Sequence, residues 1–188
     1  MRIAFVPVLA VVAMGLVGCE STSGNSAANR TELSTSGKTA LDQMVAKDPQ
    51  LQDLINSSYG YVIFPEVGKA AAVVGAAGGK GTVYQNGQEI GSVSMDQVGV
   101  GLQLGGETYS ELIVFQDQPA FNRLVNNSLE FGGDVSATAV KAGAAAGSQF
   151  ANGVKVFIMP KGGLMAGADI HGQRFTFHSN NSATTGPA

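Results

Sequence analysis

The period of the apolar residues changes several times along this chain, and each change marks an element. Leu41, Met44 and Val45 fall at helical spacing and predict a short amphipathic helix ending at Ala46 or Lys47. Asp48-Pro49 then supplies a capping side chain followed by proline at the first helical position, opening a second helix that buries Leu51, Leu54 and Ile55. Tyr61 to Phe64 is apolar on both faces, as in a strand covered on both sides, and Pro65 is expected to close it. Lys69 to Gly81 holds only Ala, Val, Gly and two lysines. A helix there would lose about 1 kcal/mol at each glycine relative to alanine, so the stretch reads as a strand of little side-chain bulk.

Asn86-Gly87 lies between two alternating runs and predicts a type I′ hairpin pairing Val83 with Ile90 and Tyr84 with Glu89. From Gln97 to Gly105, Val98, Val100, Leu102 and Leu104 share one face, which should be core. The glycine-and-glutamine face should be closely covered. Glu111 to Gln116 reads as a strand. Asp117-Gln118-Pro119 opens a helix striped by Phe121, Leu124, Val125 and Leu129, and Gly132-Gly133 ends it. Asp134 to Val140 returns as a strand, and Lys141 to Gly153 as a loop or short helix. Val154 to Met159, Leu164 to Ile170 and Arg174 to Phe177 are the last strands, with His171-Gly172 as a tight turn. The order predicts an α+β domain: a largely antiparallel β-sheet or sandwich with N-terminal helices and one inserted helix.

Composition narrows the function classes. The 188 residues suit one domain, and the 26 glycines are about twice ordinary usage. A net charge of −3 without a basic block leaves a nucleic-acid partner no electrostatic footprint. Gly75 to Thr82 lacks the spacing of a phosphate-binding loop, because Val74 stands where the first glycine belongs. His171 and His178 have no cysteine to join them in a metal site, and no serine has a recognisable base beside it. We therefore expect neither a cofactor nor an enzyme. Asp134 and Asp169 interrupt apolar strands, where they would cap backbone amides or bind a cation or polar headgroup.

The first 18 residues read as a targeting segment: Arg2 is positive, and Ile3 to Leu16 is apolar but short for a membrane span. Leu16-Val17-Gly18-Cys19 resembles a lipobox. That resemblance implies cleavage before Cys19 and acylation of this single cysteine, and two or more chains would anchor the protein stably. Glu20, where an inner-membrane retention signal would show aspartate, points by analogy to the periplasmic face of an outer membrane. Residues 19–34 are rich in Ser, Thr, Asn and Gly and read as a flexible tether, and residues 179–188 as a disordered tail.

Four segments in order resemble the SYLF-domain family: Gly60-Tyr-Val-Ile-Phe-Pro65 with Lys69 and the following glycines, Gly99-Val-Gly-Leu-Gln-Leu-Gly105, Gly132-Gly-Asp-Val-Ser-Ala137, and Lys161-Gly-Gly-Leu-Met-Ala-Gly167. The resemblance covers residues 35–178. It implies a non-catalytic domain that binds phospholipid or a membrane surface; an envelope protein engaged through the glycine-rich sheet is the alternative. Lys69, Lys80, Lys155 and Lys161 lie on or beside the glycine-rich strands. If they converge, they form a site for a lipid phosphate.

Overall fold

The computed structural model describes residues 27–70, 75–99, 107–162 and 170–180. In chain order these form helices α1 (Ala27–Lys47) and α2 (Gln50–Ser57), then strands β1 (Gly60–Ala70), β2 (Gly75–Gln85), β3 (Gln88–Gly99) and β4 (Glu107–Phe115). Helix α3 (Gln118–Val125), strand β5 (Ala137–Ala139), helix α4 (Ala144–Gly147), and strands β6 (Val154–Gly162) and β7 (Gln173–Ser179) complete the chain. The fold is α+β. All seven strands belong to one sheet, in the order β5-β6-β4-β1-β2-β3-β7, so the architecture is a single sheet rather than a sandwich. Every pairing is antiparallel except that of the three-residue β5 with β6.

Helix α1 begins at Ala27, so residues 27–34 are helical rather than part of a tether. The pattern conceals this because the helix buries little but small residues, Gly37 and Ala40, together with Met44. Its outer face carries threonines whose hydroxyls donate to the carbonyl four residues back: Thr31 to Ala27, Thr35 to Thr31 and Thr39 to Thr35. Gly37 allows a close approach to β1, since a Cβ there would lie 3.1 Å from Ile63 Cγ2.

Strand β1 does not end at Pro65. It continues to Ala70 through a bulge that shifts its register against β2 between Ile63 and Glu66, and against β4 between Phe64 and Val67. A bulge releases proline from the ladder bond it cannot donate, and Ser110 Oγ caps the Pro65 carbonyl at 2.7 Å. Lys69 to Gly81 is likewise not one strand. The chain leaves β1 at Ala70 and returns as β2 from Gly75, with Ala70 opposite Ala76. The bulge also accounts for glycine on β2. A Cβ at Gly79 would lie 2.8 Å from the Glu66 carbonyl oxygen, and one at Gly81 would lie 2.9 Å from that of Ile63.

Asn86 and Gly87 both take positive φ (49° and 78°), and Tyr84 faces Glu89 as expected. Val83 pairs with Gly91 instead of Ile90, because the ladder shifts between Val83 and Tyr84. Asp117 caps α3, its Oδ1 accepting the Ala120 N–H at 2.9 Å. Among the described residues of β3, Gly91, Val93, Met95 and Gln97 are buried, so the glutamine belongs to a covered face. Residues 100–105 and 164–169, the rest of the expected Gln97–Gly105 and Leu164–Ile170 strands, lie outside the described residues. Asp134 to Val140 is mostly irregular, with only Ala137–Ala139 paired.

Both sheet faces are covered. On one, Ile63, Leu112, Val114 and Phe157 pack with Met44, Leu51 and Ile55 of α1 and α2 and with Ala145 of α4. On the other, Phe64, Ile113, Phe115 and Phe175 enclose Phe121 and Leu124 of α3 and the Leu129 to Val135 segment. This second face is strongly concave. β4 and β7 are four strand spacings apart, about 19 Å in a flat sheet, yet Gln173 on β7 donates to Glu111 on β4 across 3.0 Å. The rings of Phe64 and Phe175 also come within 6.1 Å. The sheet coils into a partial barrel around its aromatic core.

Candidate functional site

The helix-side face of β2, β3 and β7 turns polar where it passes beyond the apolar contacts of α1. Along β2, Lys80 shares this face with Thr82, which lies beneath α1 at Gly37. Across the ladder Lys80 faces Ser94 and Thr82 faces Ser92, and Ser92 in turn faces His178. The first half of α1 bridges these residues and leaves a groove of about 560 Å³, to which it contributes Arg30, Glu32, Leu33 and Ser36. Pro65, Glu66 and Lys161 close the end nearest the β1 bulge. Lys161, Pro65, Thr35 and Gln43 also line a smaller hollow of about 230 Å³.

The groove holds three cations (Arg30, Lys80, Lys161) and two carboxylates (Glu32, Glu66). Lys161 Nζ lies 3.6 Å from Glu66 Oε2, with both side chains substantially exposed. Such pairs are worth about 0–1 kcal/mol, so an incoming anion can take Lys161 over at little cost. Lys80 is exposed and has no ion-pair or hydrogen-bond partner among the described residues. The rim of α1 is pinned by Ser34, which donates to Glu89 at 2.8 Å and lies 3.3 Å from the Tyr84 hydroxyl. Tyr84 stacks on Tyr61 with centroids 4.7 Å apart. Burial raises both phenols, Tyr61 to about 12, so the pair is neutral and acts as packing.

Of the four lysines singled out by sequence, the structure thus brings Lys80 and Lys161 together. Lys155 is elsewhere: it is half-buried on β6, its ammonium 4.6 Å from the Phe150 ring centre and 3.4 Å from the Ala145 carbonyl oxygen. Burial lowers its pKa, and it does not join Lys80 and Lys161 in the groove. The Lys69 side chain, Asp169 and Cys19 lie outside the described residues. Asp134 is exposed and accepts a hydrogen bond from Asn152 Nδ2. Among the described residues no cluster of three or more His, Cys, Asp or Glu is placed to hold a metal ion. No described helix is long and apolar enough to cross a membrane.

Sequence reasoning missed Arg30, Ser92, Ser94 and His178. Arg30 belongs to the residues read as tether, and the two serines alternate with core residues on a strand whose outer face needs only to be polar. It also left unread the burial of two acidic residues, Asp48, read only as a helix cap, and Glu111, read only as the start of a strand. Asp48, 1% exposed, accepts the Ala145 amide at 2.7 Å, the Gly143 amide at 3.3 Å and the Gln50 amide at 3.4 Å, tying the α1–α2 corner to the start of α4. Glu111 is fully buried in the concave core, and desolvation raises its pKa to about 7 against the opposing effect of the Gln173 hydrogen bond.

A family model bears on the part of the chain from the end of β3 onward, and a relative bears on most of the chain. The family model described as "Ysc84: Las17-binding protein actin regulator", the SYLF domain, matches residues 96–185. That stretch is similar to the SYLF domain. The SYLF match contains Lys161 and His178 and begins after Lys80. Over 158 residues the chain is also 25% identical to "Beta cell expansion factor A" of Aeromonas veronii, an alignment taking in 83% of this chain. The chain spans 60% of the length of that relative.

Proposed function

We propose that this chain is a non-catalytic binding module, held at a cell-envelope membrane through an acylated Cys19, whose SYLF domain takes an anionic phospholipid headgroup in the groove beneath α1. The observation that carries this reading is the convergence of Lys80, which has no partner among the described residues, with Lys161, beside the hydroxyls of Ser92 and Ser94, in a groove of about 560 Å³. With a net charge of −3, attraction for an anion has to be local. The lipobox-like Leu16-Val17-Gly18-Cys19 supports the anchor, and Glu20 supports the outer membrane as its place.

Liposome flotation of the chain from Glu20 onward, which lacks the cysteine, tests the headgroup site. Flotation with phosphatidylglycerol vesicles should exceed that with phosphatidylcholine vesicles, and Lys80→Gln with Lys161→Gln should abolish the difference while Lys155→Gln leaves it. Equal flotation by the parent and the double variant would remove the groove as a headgroup site. The second reading, a protein partner engaged through the same sheet, would then lead. It is favoured by the family description, which names binding to a protein and regulation of actin.

A further inference from the structure

The concave core contains one polar bridge whose hydrogen-bond count does not balance with a carboxylate. Glu111 and Gln173 are both 0% exposed. Gln173 Nε2 donates to Glu111 Oε2 at 3.0 Å. Glu111 Oε1 and Gln173 Oε1 are left over, two buried acceptors with no donor among the described residues. An ionised Glu111 has only acceptors to offer, so neither atom could satisfy the other, and leaving two buried oxygens without a donor would cost several kcal/mol. A single proton on Glu111 removes the imbalance.

We propose that Glu111 is protonated in the folded protein and donates its Oε1–H to Gln173 Oε1, closing a cyclic acid–amide pair that latches β7 across the barrel and opens when the proton leaves. The surroundings favour the neutral acid. The residues beside Glu111 in the ladder are Phe64 of β1 and Ile158 of β6. Tyr109, two residues along β4, shares its face, and Gln97 of β3 donates its amide to the His171 carbonyl. Phe131 and Phe175 complete the apolar wall. Arg174, next to Gln173 on β7, alternates to the other face and pairs with Glu130 at the exposed surface. Burial accordingly lifts Glu111 from its ordinary 4.5 to about 7.

The latch has a defined load. Gln173 also accepts the Phe131 amide at 3.1 Å, and the Gly172 amide donates to Phe131 at 2.8 Å. Opening the pair therefore frees the 128–131 segment together with the start of β7. A raised folded pKa means that the stabilisation is full below the unfolded value and is lost as pH rises through the folded one. Taking 4.5 and about 7 for the two states, the unfolding equilibrium constant should rise roughly 70-fold between pH 5 and pH 8 from this group alone.

The test uses the full chain. Its infrared spectrum at pH 6 should contain the carbonyl band of a protonated carboxylic acid, which fades by pH 8 and is missing from Glu111→Gln. Amide exchange at Phe131 and Gly172 should quicken over the same interval by more than the intrinsic pH dependence of exchange. In Glu111→Gln the new amide replaces the acid O–H as donor to Gln173, so urea stability should become flat across this window apart from changes shared with the parent. No acid band at pH 6, or unchanged protection of Phe131 and Gly172, would overturn the proposal. Both measurements are made on the unmutated chain, so they decide the matter even where Glu111→Gln does not fold.

Discussion

Replacing Asp48 by alanine isolates a single buried anchor. Its carboxylate receives three backbone amides, two of them about 95 residues away in sequence, so it joins the N-terminal helices to the α4 turn directly. The 2.7 Å bond to Ala145 is buried and charge-assisted, a class worth about 1.5–3 kcal/mol. The bonds of 3.3 and 3.4 Å are long and add a few tenths each, on the order of 0.5 kcal/mol together. Asp48→Ala should therefore lower urea-unfolding stability by about 2–3.5 kcal/mol. Asp48→Asn keeps one acceptor oxygen and should lose roughly half as much. The two midpoints should shift with an unchanged denaturant slope, because the rest of the fold is retained. A loss under about 0.5 kcal/mol for alanine, the scatter of ordinary surface positions, would show that water replaces the carboxylate and that the clasp contributes nothing.

Three further outcomes are expected. Gly81→Ala presses a Cβ to 2.9 Å from the Ile63 carbonyl oxygen and should destabilise by about 1–3 kcal/mol in a denaturant titration, whereas Gly133→Ala, with nothing within 4 Å, should stay within about 0.5 kcal/mol. Cys19→Ser should move the protein from the membrane to the soluble fraction or leave it uncleaved; unchanged processing and sedimentation would dismiss the anchor. Flotation with anionic vesicles should weaken between 0.1 and 1 M salt, over which the Debye length shrinks from about 10 to about 3 Å, and a salt-independent association would point away from the lysines.

What was legible in the sequence is what local chemistry dictates. Asn86-Gly87 needs positive φ at both positions, and Asp117 before proline starts a helix wherever it stands, so both appear where the sequence places them. The bulge at Pro65 was hidden because proline forbids a ladder bond without saying whether the strand stops or steps aside. Ser110, 45 residues on, supplies the cap that lets it step aside. The start of α1 was hidden because a helix lying on glycine and alanine has no apolar stripe to betray it. The pairing of Lys80 with Lys161 depends on Glu66 standing between them, through its ladder position opposite Lys80 and its contact with Lys161. The meeting of Glu111 with Gln173 depends on sheet coiling, a property of all seven strands that no periodicity reports.

The early start of α1 sets a length of leash. Seven residues separate Cys19 from Ala27, where a tether running to Ser34 would have left fifteen. Fully extended at about 3.5 Å per residue, that chain reaches no more than about 28 Å. With Cys19 acylated, the first turn of α1, and with it Arg30 at the mouth of the groove, stays within one small-domain diameter of the bilayer. A headgroup would then reach the groove from the leaflet that holds the anchor, and the domain could patrol a patch of that surface without crossing to an opposite membrane.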